Sequence, residues 1–245
     1  MDLLNLFLVH TKLSMNDMIR LSGIPKSSVH RMIGSLADMG LLHKDRDGQY
    51  ELGLLFLQFG NLVAERLDIR HAAAAVMQRL RDEIGEAVHL AVRDGDSSMY
   101  IEKLDTDHPV RLFTKIGRRA PLYAGASSRI LLAFLPEAER EEYLSEVELK
   151  PIGTGTIVSL AKLREALAAS RESGCSFSIS ELENHTAELC APIFDHTGRM
   201  TAGLSIAGPE GRFGEDRLPE LIRKVKQAAH EISLKLGYGG PPCGQ

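Results

Sequence analysis

Apolar positions recur at helical spacing in two short runs near the start of the chain, on either side of a glycine. Met15, Met18, Ile19 and Leu21 form the inner stripe of the first run, and Val29, Met32, Ile33 and Leu36 that of the second. Ser14 is placed to cap the first helix, with Asp17 three residues on as the carboxylate of a capping box. Gly23 predicts a tight turn, because a residue without Cβ reaches positive φ. Pro25 pre-sets φ for the first turn of the second helix. The spacing predicts a helix-turn-helix over 14–36, with Lys26, Ser27, Ser28, His30 and Arg31 on the outer face. Leu41–Lys44 and Gln49–Leu52 read as strands joined by Asp45–Gly48, a turn of the Asp-Gly type. A hairpin directly after such a helix is a wing. Met1–Val9 reads as the first helix of the same domain.

The pattern then changes. Residues 53–67 are helix-like and strongly apolar, with Leu55, Phe59, Leu62 and Leu67 among the larger side chains. A helix of this kind between two domains predicts a contact with a second copy of itself. From residue 70 the reading alternates between helices and strands. Helices are expected at Ala72–Ile84, Ser127–Leu135, Glu137–Glu146, Leu160–Ser173 and Glu215–Leu236. Strands are expected at Ala87–Arg93, Met99–Leu104, Val110–Thr114, Phe177–Ser180, Leu189–Phe194 and Met200–Ala207. Successive hairpins flanked by helices imply an α+β domain with a mainly antiparallel sheet. The organisation read from the sequence is therefore a winged helix-turn-helix over 1–53, a linker helix over 54–69, a larger domain over 70–237 and a flexible tail over 238–245.

Composition narrows the class. With 245 residues, 44% of them hydrophobic and 25% charged, the chain has enough material for two domains with a sizeable core. Its longest apolar runs are too short to span a bilayer, and Met1–Val9 lacks the basic flank and cleavage site of a signal peptide. Cys175, Cys190 and Cys243 are an odd, sparse set that fits reduced thiols in the cytoplasm. No membrane partner and no cofactor are implied; Phe177, Phe194 and Met200 at strand spacing read as core.

Charge qualifies the helix-turn-helix reading. Residues 1–53 hold six Lys and Arg and six Asp and Glu, and the whole chain carries a net charge of −4. Double-stranded DNA rewards a protein for the phosphates it neutralises, so the cations must be segregated. Lys26 and Arg31 on the second helix and Lys44 and Arg46 on the wing provide that asymmetry. Ser27, Ser28 and His30 add short donors, the mixture a major groove requires. Two such units on one duplex would double the contacts and read two half-sites, which implies a (pseudo)palindromic operator.

Other chemistry is thinner. Cys175, His185, Glu188 and Cys190 fall close together, and His89 lies on another predicted strand. These residue types bind zinc, but the tight Cys-x-x-Cys spacing is missing and strand alternation sends some of them to opposite faces. No metal site is expected. A Cys190–His185 nucleophile pair would make the chain a hydrolase, yet no acid, base and nucleophile align in 70–237.

Three ordered segments carry a family resemblance: GIPKSSVHRMIGSLADMGLLHKDRDGQYELG, PLYAGASSRILLAFLP and ELENHTAELCAPIFDHTGRMTAGLSIAGP. Together they resemble the signatures of IclR-family transcription factors over nearly the whole chain. The resemblance implies a GAF-like effector-binding domain, a homodimer or dimer of dimers, and regulation by a small metabolite. It also implies an effector cup between the sheet and the helix beginning near Ser127. Leu112 would lie on the strand before that helix and Ala120, Ala126 and Ser127 in the loop entering it. Ser178 and Glu188 would come from the acidic stretch, and Ser205 and Ala207 from the last strand. Ser128-Arg129 departs from the family's usual Gly-Lys. A Glu at position 188 disfavours an anion beside it and argues for a hydroxylated, amine or lactone-like effector, unless Glu188 pairs with Arg119 or Arg129. The leading reading is a ligand-responsive DNA-binding regulator, a repressor of a catabolic operon. The alternative is a metabolite-processing, hydrolase-like enzyme carrying an accessory DNA-binding domain.

Overall fold

A computed structural model describes residues 2–65, 68–109, 112 and 114–241, and the chain divides into two units, Met1–Leu67 and Asp68–Gln245. In the first unit a short helix α1 (Asp2–Asn5) runs into a 3₁₀ turn at Leu6–Leu8, where a longer helix to Val9 was expected. α2 (Met15–Ser22) is opened by a complete capping box: the Asp17 N–H donates to Ser14 Oγ while the Ser14 N–H donates to the Asp17 carboxylate. Gly23 ends it at φ 66°, the left-handed conformation expected of the turn. Pro25 stands one residue earlier than its predicted role, as the cap before α3 (Lys26–Asp38). β1 (Leu42–Lys44) and β2 (Tyr50–Leu52) pair antiparallel to form the hairpin. Tyr50 also bridges back to Leu13, tying the hairpin to the segment before α2. Leu3, Phe7, Met18, Val29, Ile33 and Tyr50 meet in one core. Leu21, assigned to the inner stripe from its spacing, is instead exposed at the end of α2. α4 (Leu55–Glu65) completes the unit, and Arg66 and Leu67 lie outside the described residues.

The second unit opens with α5 (Asp68–Ile84) and a hairpin of β3 (Ala87–Asp94) and β4 (Ser97–Leu104). A short strand β5 (Arg119–Pro121) follows, then α6 (Ala126–Ala133), α7 (Glu137–Glu146) and α8 (Leu160–Ser173). β6 (Ser176–Ile179), β7 (Thr186–Phe194), β8 (Met200–Pro209) and α9 (Leu218–Lys235) close the unit. The six strands form one antiparallel sheet in the order β5-β4-β3-β8-β7-β6. β7 and β8 are buried along almost their whole length, because α9 covers one side and α6 the other. Of the predicted strand at Val110–Thr114, Leu112 and Thr114 belong to no regular element, and Val110, Arg111 and Phe113 lie outside the described residues. Among the described strands, β5 forms the edge beyond β4. At the other end of the unit, Tyr238 stacks on Phe194 with ring centres 5.2 Å apart, while 242–245 lie outside the described residues. None of the described helices is long and apolar enough to cross a membrane.

Candidate functional site

The N-terminal half of α3 presents Lys26, Ser27, His30 and Arg31 to solvent, with Ser28 half-buried. Lys26 and His30, and likewise Ser27 and Arg31, are four residues apart and therefore neighbours on the helix surface. Lys44 and Arg46 stand exposed on the hairpin, with Lys44 Nζ 5.5 Å from the centre of the Tyr50 ring. The ion pairs explain how a unit with balanced charge can face phosphate. Lys12 pairs with Asp45 at 2.7 Å and Glu51 at 3.4 Å, and Arg20 pairs with Asp17 at 2.8 Å. Lys12 and Arg20 thus absorb three carboxylates. Lys26, Arg31, Lys44 and Arg46 have no carboxylate partner among the described residues. Asp38 is at the far end of α3, about 18 Å along the axis from Lys26, and Asp47 sits at the hairpin tip.

In the second unit the N-terminus of α6 is closed by side chains from β6, β7 and the loop between them. Backbone N–H groups of Gly125, Ala126 and Ser127 donate to Glu181 Oε2 (2.9 Å), Ser178 Oγ (3.0 Å) and Glu188 Oε2 (3.1 Å). Helix N-termini attract anions, and here the chain supplies its own. Gly125 is required where it stands. Its φ is 86°, and a Cβ would meet Leu182 Cδ1 at 2.7 Å. Arg129, 3% exposed, ties the same elements by donating to Glu181, Ser176 Oγ and the Phe177 carbonyl.

Glu188 is buried beside this helix end. Its Oε1 accepts from Tyr100 Oη at 3.0 Å and Ser127 Oγ at 2.5 Å, and among the described residues its Oε2 accepts only the Ser127 N–H. Neither predicted arginine reaches it: Arg129 pairs with Glu181, and Arg119 with Asp94. Burial pushes the Tyr100 phenol well above its ordinary range, and the neighbouring Glu188 carboxylate adds to the effect. Burial and Glu188 raise the Cys190 thiol in the same way. His89, packed edge-on to Tyr100, is pushed down to about 4 by burial. Its two ring nitrogens and Ser205 Oγ, opposite it across β3 and β8, have no hydrogen-bond partner among the described residues.

A narrow cavity opens over this cluster. Its inner end holds Tyr100, Ser178 and Glu188, and its mouth holds Leu112, Leu182 and an ion pair between Arg118 and Glu183 at 2.6 Å. Its enclosed space is small, with room for about one water molecule. Of the eight predicted effector residues, Leu112, Ser178 and Glu188 line the cavity. Ser127 and Ala126 lie behind it and hold the lining residues. Ala120 is buried on β5, and Ser205 and Ala207 on β8. Tyr100, Arg118, Glu181 and Leu182 were missed by sequence reasoning, being brought in from strands and loops far apart in the chain.

Cys190 is fully buried with its thiol held protonated, whereas the His185 side chain is 89% exposed and lies beside Glu210. The described residues contain no group of three His, Cys, Asp or Glu able to hold a metal ion.

Comparison with known proteins covers both units of the chain. The model of the IclR helix-turn-helix domain matches residues 1–46, and that of the bacterial transcriptional regulator IclR C-terminal domain matches 61–234. The chain is 53% identical to the HTH-type transcriptional regulator KipR of Bacillus subtilis, covering 97% of this chain and 95% of KipR. The crystal structure of the Thermotoga maritima IclR superposes with a TM-score of 0.80 at 31% identity, over 96% of each chain. An IclR homolog of Microbacterium hydrocarbonoxydans, solved in complex with 4-hydroxybenzoate, gives 0.85 at 25% identity, again over 96% of each. These matches are to transcriptional regulators and not to enzymes, which overturns the hydrolase alternative. The chain belongs to the IclR family of bacterial DNA-binding transcriptional regulators.

Proposed function

We propose that this regulator is effector-responsive, a cytoplasmic repressor of a catabolic operon whose grip on its operator changes when a small metabolite occupies the Glu188 cavity. The α3 face reads the major groove, and Lys44 and Arg46 of the wing hold phosphate. A homodimer, or a dimer of dimers, presents two such faces to a (pseudo)palindromic double-stranded operator.

The observation that carries the effector reading is the hydrogen-bond inventory of Glu188. A carboxylate oxygen accepts two bonds readily. Oε1 is filled by Tyr100 and Ser127, and Oε2 holds one N–H and has room for one more donor. With no cation on Glu188 among the described residues, an effector anion beside it would be repelled. The effector therefore offers a hydroxyl or amine to Glu188, and any carboxylate it carries lies toward Arg118 at the mouth. The hydroxybenzoate bound by the Microbacterium homolog combines those two groups, which supports the reading. The test is binding of the purified protein to DNA upstream of its own gene, with and without candidate hydroxylated metabolites. Glu188→Gln should weaken effector affinity by roughly 10- to 100-fold, the worth of a hydrogen bond to a charged group, while unliganded operator affinity stays within about threefold. An unchanged effector response in Glu188→Gln would place the effector elsewhere.

A further inference from the structure

The second unit pairs its cations thoroughly. Among its described arginines, Arg171 and Arg199 alone make no side-chain hydrogen bond or ion pair, and both line the same groove. That groove has a volume of about 660 Å³, within the range of small-molecule sites. It is separate from the Glu188 cavity and shares no lining residue with it. Its apolar wall is aromatic: Phe134 and Phe194 meet edge-on with centroids 5.5 Å apart, beside Met200. Two acids complete the rim. Glu139 is already neutralised by Arg93, which leaves Glu137 at the start of α7.

We infer that this groove is a second ligand site, for an organic anion that joins a carboxylate to a flat apolar body. Arginine is suited to this task. Its planar fork matches a carboxylate, and it is held charged at every physiological pH. Unpaired guanidinium groups from α8 and from the β7–β8 turn leave the groove cationic, and the Phe134 ring gives the ligand body an apolar surface. The inference is independent of the effector reading, since Glu188 takes no part in it.

The test uses 2-naphthoate and its neutral counterpart 2-naphthamide, titrated into the full-length protein and followed by ligand fluorescence and methyl NMR. Naphthoate is expected to bind at least about tenfold tighter than the amide and to shift the Met200 methyl resonance while leaving Leu182 unmoved. Arg171→Gln with Arg199→Gln should bring naphthoate down to the level of the amide. Both residues are exposed, so the double variant should keep the wild-type circular dichroism spectrum. The inference is overturned by equal binding of acid and amide, by an unchanged affinity in the double variant, by shifts at Leu182 instead of Met200, or by no naphthoate binding up to millimolar concentration.

Discussion

Burying a histidine has a pH signature that can be read before any ligand is known. His89 is 1% exposed, and both of its ring nitrogens lack partners among the described residues, so burial drives its pKa from 6.5 to about 4; the nearby Glu188 carboxylate opposes that shift without cancelling it. The unfolded chain binds the proton more readily than the folded one throughout that interval. Stability is therefore fully present above pH 6.5 and is lost as pH falls from 6.5 to about 4, with an amplitude on the order of 3 kcal/mol. Thermal melts across this range should show a slope that His89→Leu flattens; an equal slope in the variant would mean that other groups govern acid sensitivity. On the DNA face two cations should behave differently. Arg31→Ala should cost about 1–3 kcal/mol and relax specificity at one base pair, whereas Lys26→Ala should weaken all sequences alike and reduce the salt slope by about one. Operator and random duplexes measured side by side separate these outcomes. The exposed basic and hydroxyl side chains of α3 and the wing were readable because they come from one contiguous stretch. Glu188 was also readable, as an acid on a cup wall. Its partners were not: Tyr100 lies 88 residues away in sequence, and no local spacing announces such a contact.

At the scale of elements, legibility followed the strength of local chemistry. α2 was marked by a cap, a carboxylate and a glycine, and each occupies its expected place. The wing was marked by its Asp-Gly turn. β5 carried no such mark, since it has three residues, ends in proline and is held only as an edge strand against β4. Leu21 kept the helical spacing of its neighbours but fell at the end of α2, where no core covers it. The capping box allows a direct test. Ser14→Ala should cost about 1 kcal/mol, seen as loss of amide protection in α2 within the full-length protein. The Asp17 carboxyl is held below its ordinary range, chiefly by the Ser14 hydroxyl. Its contribution is therefore present above the usual carboxylate pKa and is lost only as pH falls through the lower folded value, a window that Ser14→Ala should narrow. Unchanged protection in the variant would show that packing alone holds α2.

For the whole molecule the open matter is assembly. α4 exposes Leu57, Phe59 and Leu62 at 62%, 50% and 53%, and Leu54 just before it at 81%. So much apolar surface on one short segment supports the proposal that a second copy covers it. Phe59→Asp would set a charge against that surface, at a cost of several kcal/mol in a dry interface. Sedimentation should show the variant shifted to monomer with its secondary structure intact, and operator affinity should fall by orders of magnitude. A variant that remains dimeric would exclude α4 from the contact.

Lys12 and Arg20, each locked to carboxylates of its own unit, have a consequence for life inside a cell. A chromosome is a vast sink that draws regulators onto random sequence through phosphate attraction. With Lys12 and Arg20 cancelled, the unpaired Lys and Arg among the described residues of the first unit are the four proposed to meet phosphate, Lys26, Arg31, Lys44 and Arg46, and a net charge of −4 opposes adsorption by the rest of the molecule. On that proposal random sequence would hold fewer copies, and more would remain for the operator.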